Sequence, residues 1–229
     1  MTNRDLRIIS DLSGTLVDMS ERQYRAYLYA LSEVKYDGQS VNAMCRDAFR
    51  KAKQSFTSQE FIGLKSGLDK AQIPNFIKLQ KRVVNLLSNM ENDRLFPETT
   101  DALDIAKEAE IDLVLLTMRR ESELEFAFDK TLPKSYFPET HIYCVSDDYR
   151  KSSDVHDKTL LLEKALTELP SISETWMIGD TEADILAAKM HGIKAIAVLT
   201  GSRNLERLKV YEPDFIATNI LEAVKFILN

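Results

Sequence analysis

Six short apolar runs, at 6–10, 111–117, 141–145, 175–178, 194–199 and 215–217, limit what this chain can fold into more than any other feature. Their apolar residues run almost continuously, as in strands buried on both faces of a parallel sheet. Helical patterns fill the gaps at 99–109, 122–130, 157–169, 182–191 and 221–228. In the last of these, Leu221, Val224, Ile227 and Leu228 share one face. Strand alternating with helix predicts a doubly wound parallel α/β sheet. Between the first two runs, 19–94 shows helical stripes and no strand: Tyr24, Tyr27, Leu28 and Leu31, then Phe76, Leu79, Val83, Leu86 and Leu87. About 75 residues is too long for a plain crossover. The stretch therefore reads as an inserted helical domain, leaving a discontinuous core of 1–18 and 95–229, to which Phe96-Pro97 returns the chain. The polar stretch 146–157 reads as a loop.

Composition narrows the function classes. The 229 residues carry 30 Lys+Arg against 36 Asp+Glu, a net charge of -6, so no basic surface for nucleic acid or acidic lipid is expected. No apolar run approaches the roughly 20 residues of a membrane helix, and the polar start of the chain does not read as a signal peptide. Cys45 and Cys144 form neither a disulfide framework nor a zinc cluster, which leads to the expectation of a reducing, cytoplasmic setting.

Four segments carry candidate chemistry. In Ser10-Asp11-Leu12-Ser13-Gly14-Thr15 a strand ends at a carboxylate and Gly14 permits a sharp turn. Ligands of open α/β sheets sit at such carboxyl ends, although Asp11 alone serves equally well as a strand-end cap. The second segment is an apolar strand ending at Thr117, and the third places Lys158 ahead of Leu160-Leu161-Leu162, where a lone lysine commonly faces solvent. The fourth, Ile178-Gly179-Asp180-Thr181-Glu182-Ala183-Asp184, puts two carboxylates where a strand passes into a helix. Oxygen ligands of this kind suit Mg²⁺; Asp184 is also well placed to favour the helix dipole.

In this order the four segments resemble the haloacid dehalogenase superfamily of Mg²⁺-dependent phosphotransfer enzymes. Gly179-Asp180-x-x-x-Asp184, followed by Ala187-Ala188 and His191-Gly192-Ile193, is similar to that family's fourth motif. Thr200-Gly201 and Glu212-Pro213-Asp214-Phe215-Ile216 match as well, and the helical insert resembles the family's type 1 cap. The resemblance implies that Asp11 is the nucleophile of an aspartyl-phosphate and that Thr117 bonds a phosphoryl oxygen. It implies that Lys158 offsets negative charge, and that Asp11, Asp180, the carbonyl of Ser13 and, directly or through water, Asp184 hold Mg²⁺. Main-chain N–H groups around Leu12 and Gly14 would cradle the phosphate. A small phosphorylated substrate is implied, without nucleic acid or membrane partners.

Ser13 departs from the pattern, because phosphatases of the family carry a second Asp there that protonates the leaving group and then activates water. A hydroxyl lacks the acidity for this, and losing such a group lowers rates by about 10²–10⁴-fold. Four readings stay open. They are a phosphohydrolase whose leaving group needs little protonation or draws its proton elsewhere, and a phosphonoacetaldehyde hydrolase-like enzyme using a cap lysine among Lys51, Lys53 and Lys65. The others are a dehalogenase, whose metal pattern differs, and a non-catalytic phosphate-binding member. On the first reading, Ser13→Asp is expected to raise alkyl over aryl phosphate turnover. For substrate contacts the resemblance points to Gly63 in the cap. Met118 and Arg119 follow Thr117, and Arg119 or Arg120 is a candidate partner for a second anionic group.

Overall fold

The chain forms β1 (Leu6–Ser10) and a short β2 (Val17–Asp18), then five helices: α1 (Ser20–Val34), α2 (Arg46–Gln54), α3 (Gln59–Lys65), α4 (Ile73–Val84) and α5 (Leu87–Met90). Strand β3 (Arg94–Leu95) and α6 (Thr99–Glu108) lead to β4 (Asp112–Arg120), α7 (Glu121–Lys130), β5 (Ile142–Val145) and α8 (Asp154–Glu168). The rest alternates: β6 (Glu174–Gly179), α9 (Glu182–Met190), β7 (Lys194–Val198), α10 (Leu205–Lys209), β8 (Phe215–Ala217) and α11 (Ile220–Leu228). This computed structural model describes residues 5–229. They divide into two units, one of residues 5–18 with Arg94–Asn229, the other Met19–Asp93.

The larger unit holds a six-stranded parallel sheet in the order β5-β4-β1-β6-β7-β8. The continuous apolar runs are explained by its two covered faces. Successive side chains of a strand point to opposite faces, so Leu113 and Leu115 join Ile8 and Ile178 beneath α6, α7 and α11. Val114 and Leu116 join Ile9 and Met177 beneath α8 and α9. A strand with one wet face would alternate with polar residues; these cannot.

Several boundaries differ from the sequence reading. Arg94 and Leu95 pair antiparallel with Asp18 and Val17, a two-residue ladder too short for any periodicity to reveal. The loop after β5 ends early because Ser153 caps α8, its hydroxyl accepting from the His156 N–H. The apolar stripe running from Phe76 to Leu87 is not one helix: α4 stops at Val84, and Leu86 and Leu87 are exposed. Among the described residues no helix is long and apolar enough to cross a membrane.

The helical unit packs around Tyr27, which is fully buried. Its ring stacks on Phe49 at 4.6 Å between centroids and meets Phe76 edge-on. Its hydroxyl lies 2.7 Å from Ser66 Oγ and accepts from the Met44 N–H at 2.8 Å. Tyr27→Phe keeps the ring but leaves the Met44 N–H without its acceptor, a loss of about 1–3 kcal/mol. Denaturant unfolding should show a lower midpoint for the helical unit at unchanged slope; a wild-type midpoint would mean that the hydroxyl network contributes nothing.

Candidate active site

From β1 the sheet grows toward β4 on one side and β6 on the other. In open α/β sheets the ligand crevice lies at the carboxyl ends of the strands where the order reverses in this way. Ser10 is in register with Leu115 of β4 and with Ile178 of β6, so Asp11, Thr117 and Asp180 emerge together at that edge. The Asp11 N–H donates to the Ile178 carbonyl at 2.9 Å and continues the ladder one residue past β1. All three side chains are buried.

Lys158 enters from α8. Its Nζ donates to Asp11 Oδ1 at 2.6 Å and to Asp184 Oδ1 at 2.5 Å, with both carboxylates almost wholly buried. The neighbouring Asp157 fixes the start of that helix by accepting from the Ser152 N–H and hydroxyl and from the Tyr149 hydroxyl. Asp180 Oδ2 accepts from the Ser202 N–H at 2.6 Å. Glycines make room for these carboxylates. A methyl group on Gly14 or Gly201 would collide with the carboxylate of Asp180, and one on Gly179 with that of Asp184. Gly14 also has φ +95, a left-handed conformation that side chains disfavour. The Thr200 hydroxyl donates to the Gly14 carbonyl at 2.7 Å and ties the two loops beside Asp180 together.

Three buried carboxylates thus face one ammonium. Burial pushes Asp11 up to about 6; Lys158 opposes that rise and Asp184 adds to it. Burial, reinforced by Asp11 and Asp184, pushes Asp180 up to about 8. Burial alone would lower Lys158, but Asp11 and Asp184 outweigh it and hold the ammonium above its ordinary value. Surplus negative charge on hard oxygen donors is the environment that a hard divalent cation neutralises. Among the described residues no three Asp, Glu, His or Cys side chains form a metal cage by themselves. The donor set therefore suits an ion that takes one or two carboxylates and completes its shell with water and phosphate.

The structure brings together Asp11, Ser13, Thr117, Arg119, Lys158, Asp180 and Asp184. Asp184 is engaged on both oxygens: Oδ1 accepts from Lys158 and Oδ2 from the Thr181 N–H and hydroxyl. The Gly14 N–H donates to the Val17 carbonyl at 2.8 Å, and the Leu12 N–H serves the Asp11 carboxylate. The Leu12 side chain is core, and Met118 packs on the sheet face beneath α8. Gly63 is buried inside the helical unit, where a methyl would press on Ile73 and Phe76. A glycine there serves close helix packing, which one sequence cannot distinguish from a binding glycine. Arg119 is the unforeseen contact. Its Nε donates to Ser13 Oγ at 2.8 Å, and its backbone N–H donates to Thr117 Oγ1 at 3.2 Å. Ser202 and Thr181 went unnoticed in the sequence. Thr181-x-x-Asp184 does carry a signal, because it has the capping-box spacing.

Known proteins resemble this chain in sequence and in fold. Pyrophosphatase PpaX of Bacillus velezensis is 22% identical over 213 residues, 91% of this chain and 90% of that protein. Sugar-phosphatase AraL of Bacillus subtilis is 37% identical over 68 residues, 29% of this chain and 25% of that protein. The solved structure of a haloacid dehalogenase-like family protein from Streptococcus pneumoniae superposes with a TM-score of 0.68 at 24% identity, covering 99% of this chain and 100% of that one. A protein-family model described as haloacid dehalogenase-like hydrolase matches residues 7–192, well over half of the sequence. With that match, and the six-stranded parallel core that carries Asp11 at its switch point, the chain belongs to the haloacid dehalogenase-like hydrolase family.

Proposed function

We propose that this hydrolase is a Mg²⁺-dependent phosphohydrolase acting on a small phosphorylated metabolite through an aspartyl-phosphate at Asp11. The observation that carries the reading is the placement of Asp11: a buried carboxylate at the strand-order switch, gripped on one oxygen by Lys158, with Thr117 and Asp180 on the flanking strands. The names of PpaX and AraL, a pyrophosphatase and a sugar-phosphatase, support phosphoryl compounds as the substrate class.

In the first step a carboxylate oxygen of Asp11 attacks phosphorus, and the bond from phosphorus to the leaving oxygen breaks. The Thr117 hydroxyl donates to a phosphoryl oxygen, and the Lys158 ammonium offsets the crowded negative charge. In the second step water attacks phosphorus, the bond to Asp11 breaks, and inorganic phosphate departs. Asp11, Asp180 and the main-chain carbonyl of Ser13 are the groups that would hold Mg²⁺. The ion would neutralise the phosphoryl oxygens. Asp184 orients Lys158 and would help to hold the ion, directly or through water. The helical unit Met19–Asp93 is assigned the role of a cap that selects the substrate and excludes water. Two free cysteines fit a cytoplasmic setting, which belongs to the same proposal.

Asp11→Asn replaces the nucleophile with a nearly isosteric amide and should abolish turnover in a folded protein. Excess chelator should abolish it in the wild type, with Ca²⁺ a poor substitute for Mg²⁺. Mutant turnover within about tenfold of wild type would exclude covalent catalysis by Asp11, and full activity in chelator would exclude the metal.

The raised carboxylates predict a pH dependence in metal-free protein. Asp11 and Asp180 titrate near 3.8 in the unfolded chain and at about 6 and about 8 in the fold, so the folded state binds more protons between these values. Their stabilisation is full below the unfolded value and is lost as pH rises through about 6 and then about 8. The melting temperature should therefore fall from pH 5 to pH 8 and recover at pH 8 on adding Mg²⁺, which takes the place of the protons. Asp180→Asn should flatten the curve; a wild-type curve already flat across that window would contradict the placement of these charges.

A further inference from the structure

We propose that Arg119 and Ser13 form a matched pair that replaces proton donation with fixed positive charge. The pair restricts the enzyme to phosphoryl groups on acidic leaving groups, meaning acyl phosphates and phosphoanhydrides, and discriminates against alkyl phosphates. The inference rests on the phosphoryl-transfer reading above and names the substrate class of that same site.

Arg119 touches both flanks of Asp11. Its backbone N–H donates to Thr117 Oγ1, while its side chain reaches across to the loop after β1, where Nε donates to Ser13 Oγ. The β4–β5 register shifts between Leu116 and Arg120, an irregularity of the kind that re-aims a side chain at a sheet rim. Arg119 is buried, so its charge is little screened by water.

The guanidinium and a carboxylic acid at position 13 are incompatible in one site. A carboxylate at that position would stand at ion-pairing distance from Arg119 Nε. The charge-assisted pair would turn its oxygens to the guanidinium and away from a leaving oxygen. A hydroxyl accepts from the guanidinium without competing for its charge. The guanidinium does not deprotonate in proteins, so it contributes charge and not a proton. An alkoxide leaving group needs that proton, whereas a carboxylate or phosphate departs as a stable anion and needs only electrostatic stabilisation.

The step balances without a co-reactant. Asp11 Oδ forms the bond to phosphorus, the phosphorus–oxygen bond to the leaving group breaks, and that oxygen keeps the electron pair as an anion beside Arg119. Water then attacks phosphorus, the Asp11 carboxylate leaves with its electron pair, and the proton of water passes to phosphate or solvent. With no carboxylate at position 13 to activate water, the second step is the slow one, and the leaving group emerges in a burst.

The test is rapid mixing of the Mg²⁺-loaded protein with acetyl phosphate, pyrophosphate, p-nitrophenyl phosphate and glycerol phosphate. Wild type should release one leaving group per site in a burst from the first two probes and turn over glycerol phosphate slowest. Arg119→Gln should lower transfer from acetyl phosphate and pyrophosphate by about 10²–10³-fold. Arg119→Lys, which keeps the charge, should recover most of that loss and guards against a folding defect in the first variant. Ser13→Asp alone should not raise the ratio of glycerol phosphate to acetyl phosphate turnover, whereas Ser13→Asp with Arg119→Gln should. Leaving-group selectivity unchanged in folded Arg119→Gln, or a raised ratio in Ser13→Asp alone, would overturn the pairing while leaving an Asp11-dependent phosphohydrolase intact. Wild type inert toward all four probes would overturn both.

Discussion

The bridge from the Lys158 ammonium to Asp11 and Asp184 is the interaction on which the site depends. Three carboxylates are buried at one edge of the sheet, and this is the cation that pairs directly with two of them. Removing one partner of such a buried pair typically destabilises a protein by about 3–5 kcal/mol, because the remaining charge is stranded out of water. Much of the surrounding architecture serves the bridge. Ser153 starts α8, Asp157 anchors the loop that precedes it, and the Thr181 hydroxyl fixes the second oxygen of Asp184. Gly179 leaves room for Asp184, and Gly14 and Gly201 leave room for Asp180. Three carboxylates still outnumber the one ammonium that grips them, and burial, with this crowding added, raises Asp11 and Asp180.

The core of this fold was legible because burial on both faces writes continuous apolar runs into the sequence. Leu113 to Leu116 show this in one strand, alternate residues entering opposite faces. Asp11, Thr117 and Asp180 were legible for a related reason, since each follows such a run directly and the strand's end fixes its place. Side-chain partners were not legible. Arg119 and Ser13 are 106 positions apart, and Arg119 lies within a register irregularity of β4 that no local pattern announces. The engagement of Asp184 is a matter of which hydrogen bonds its two oxygens make, and spacing alone allows both a cap and a ligand. The packing of Gly63 against Ile73 and Phe76 was not legible either, because a glycine required by helix packing and one required by a ligand are the same residue in a sequence.

Ser13 would be a defect if leaving-group protonation were the only route to phosphoryl transfer. In the proposed pairing with Arg119 it is one half of a different electrostatic solution, in which a permanent charge would stand in place of a proton shuttle. On that proposal the consequence would fall on the leaving group and on the lifetime of a phosphorylated Asp11, not on the nucleophile.

The most direct test is to trap that intermediate. Mg²⁺-loaded protein mixed with acetyl phosphate, quenched in acid within the first turnover and digested, should yield the peptide containing Asp11 with an added phosphoryl group. The modification should be absent from Asp11→Asn and from chelator-treated samples. Inorganic phosphate appearing through the first turnover while that peptide is never modified would contradict covalent catalysis by Asp11.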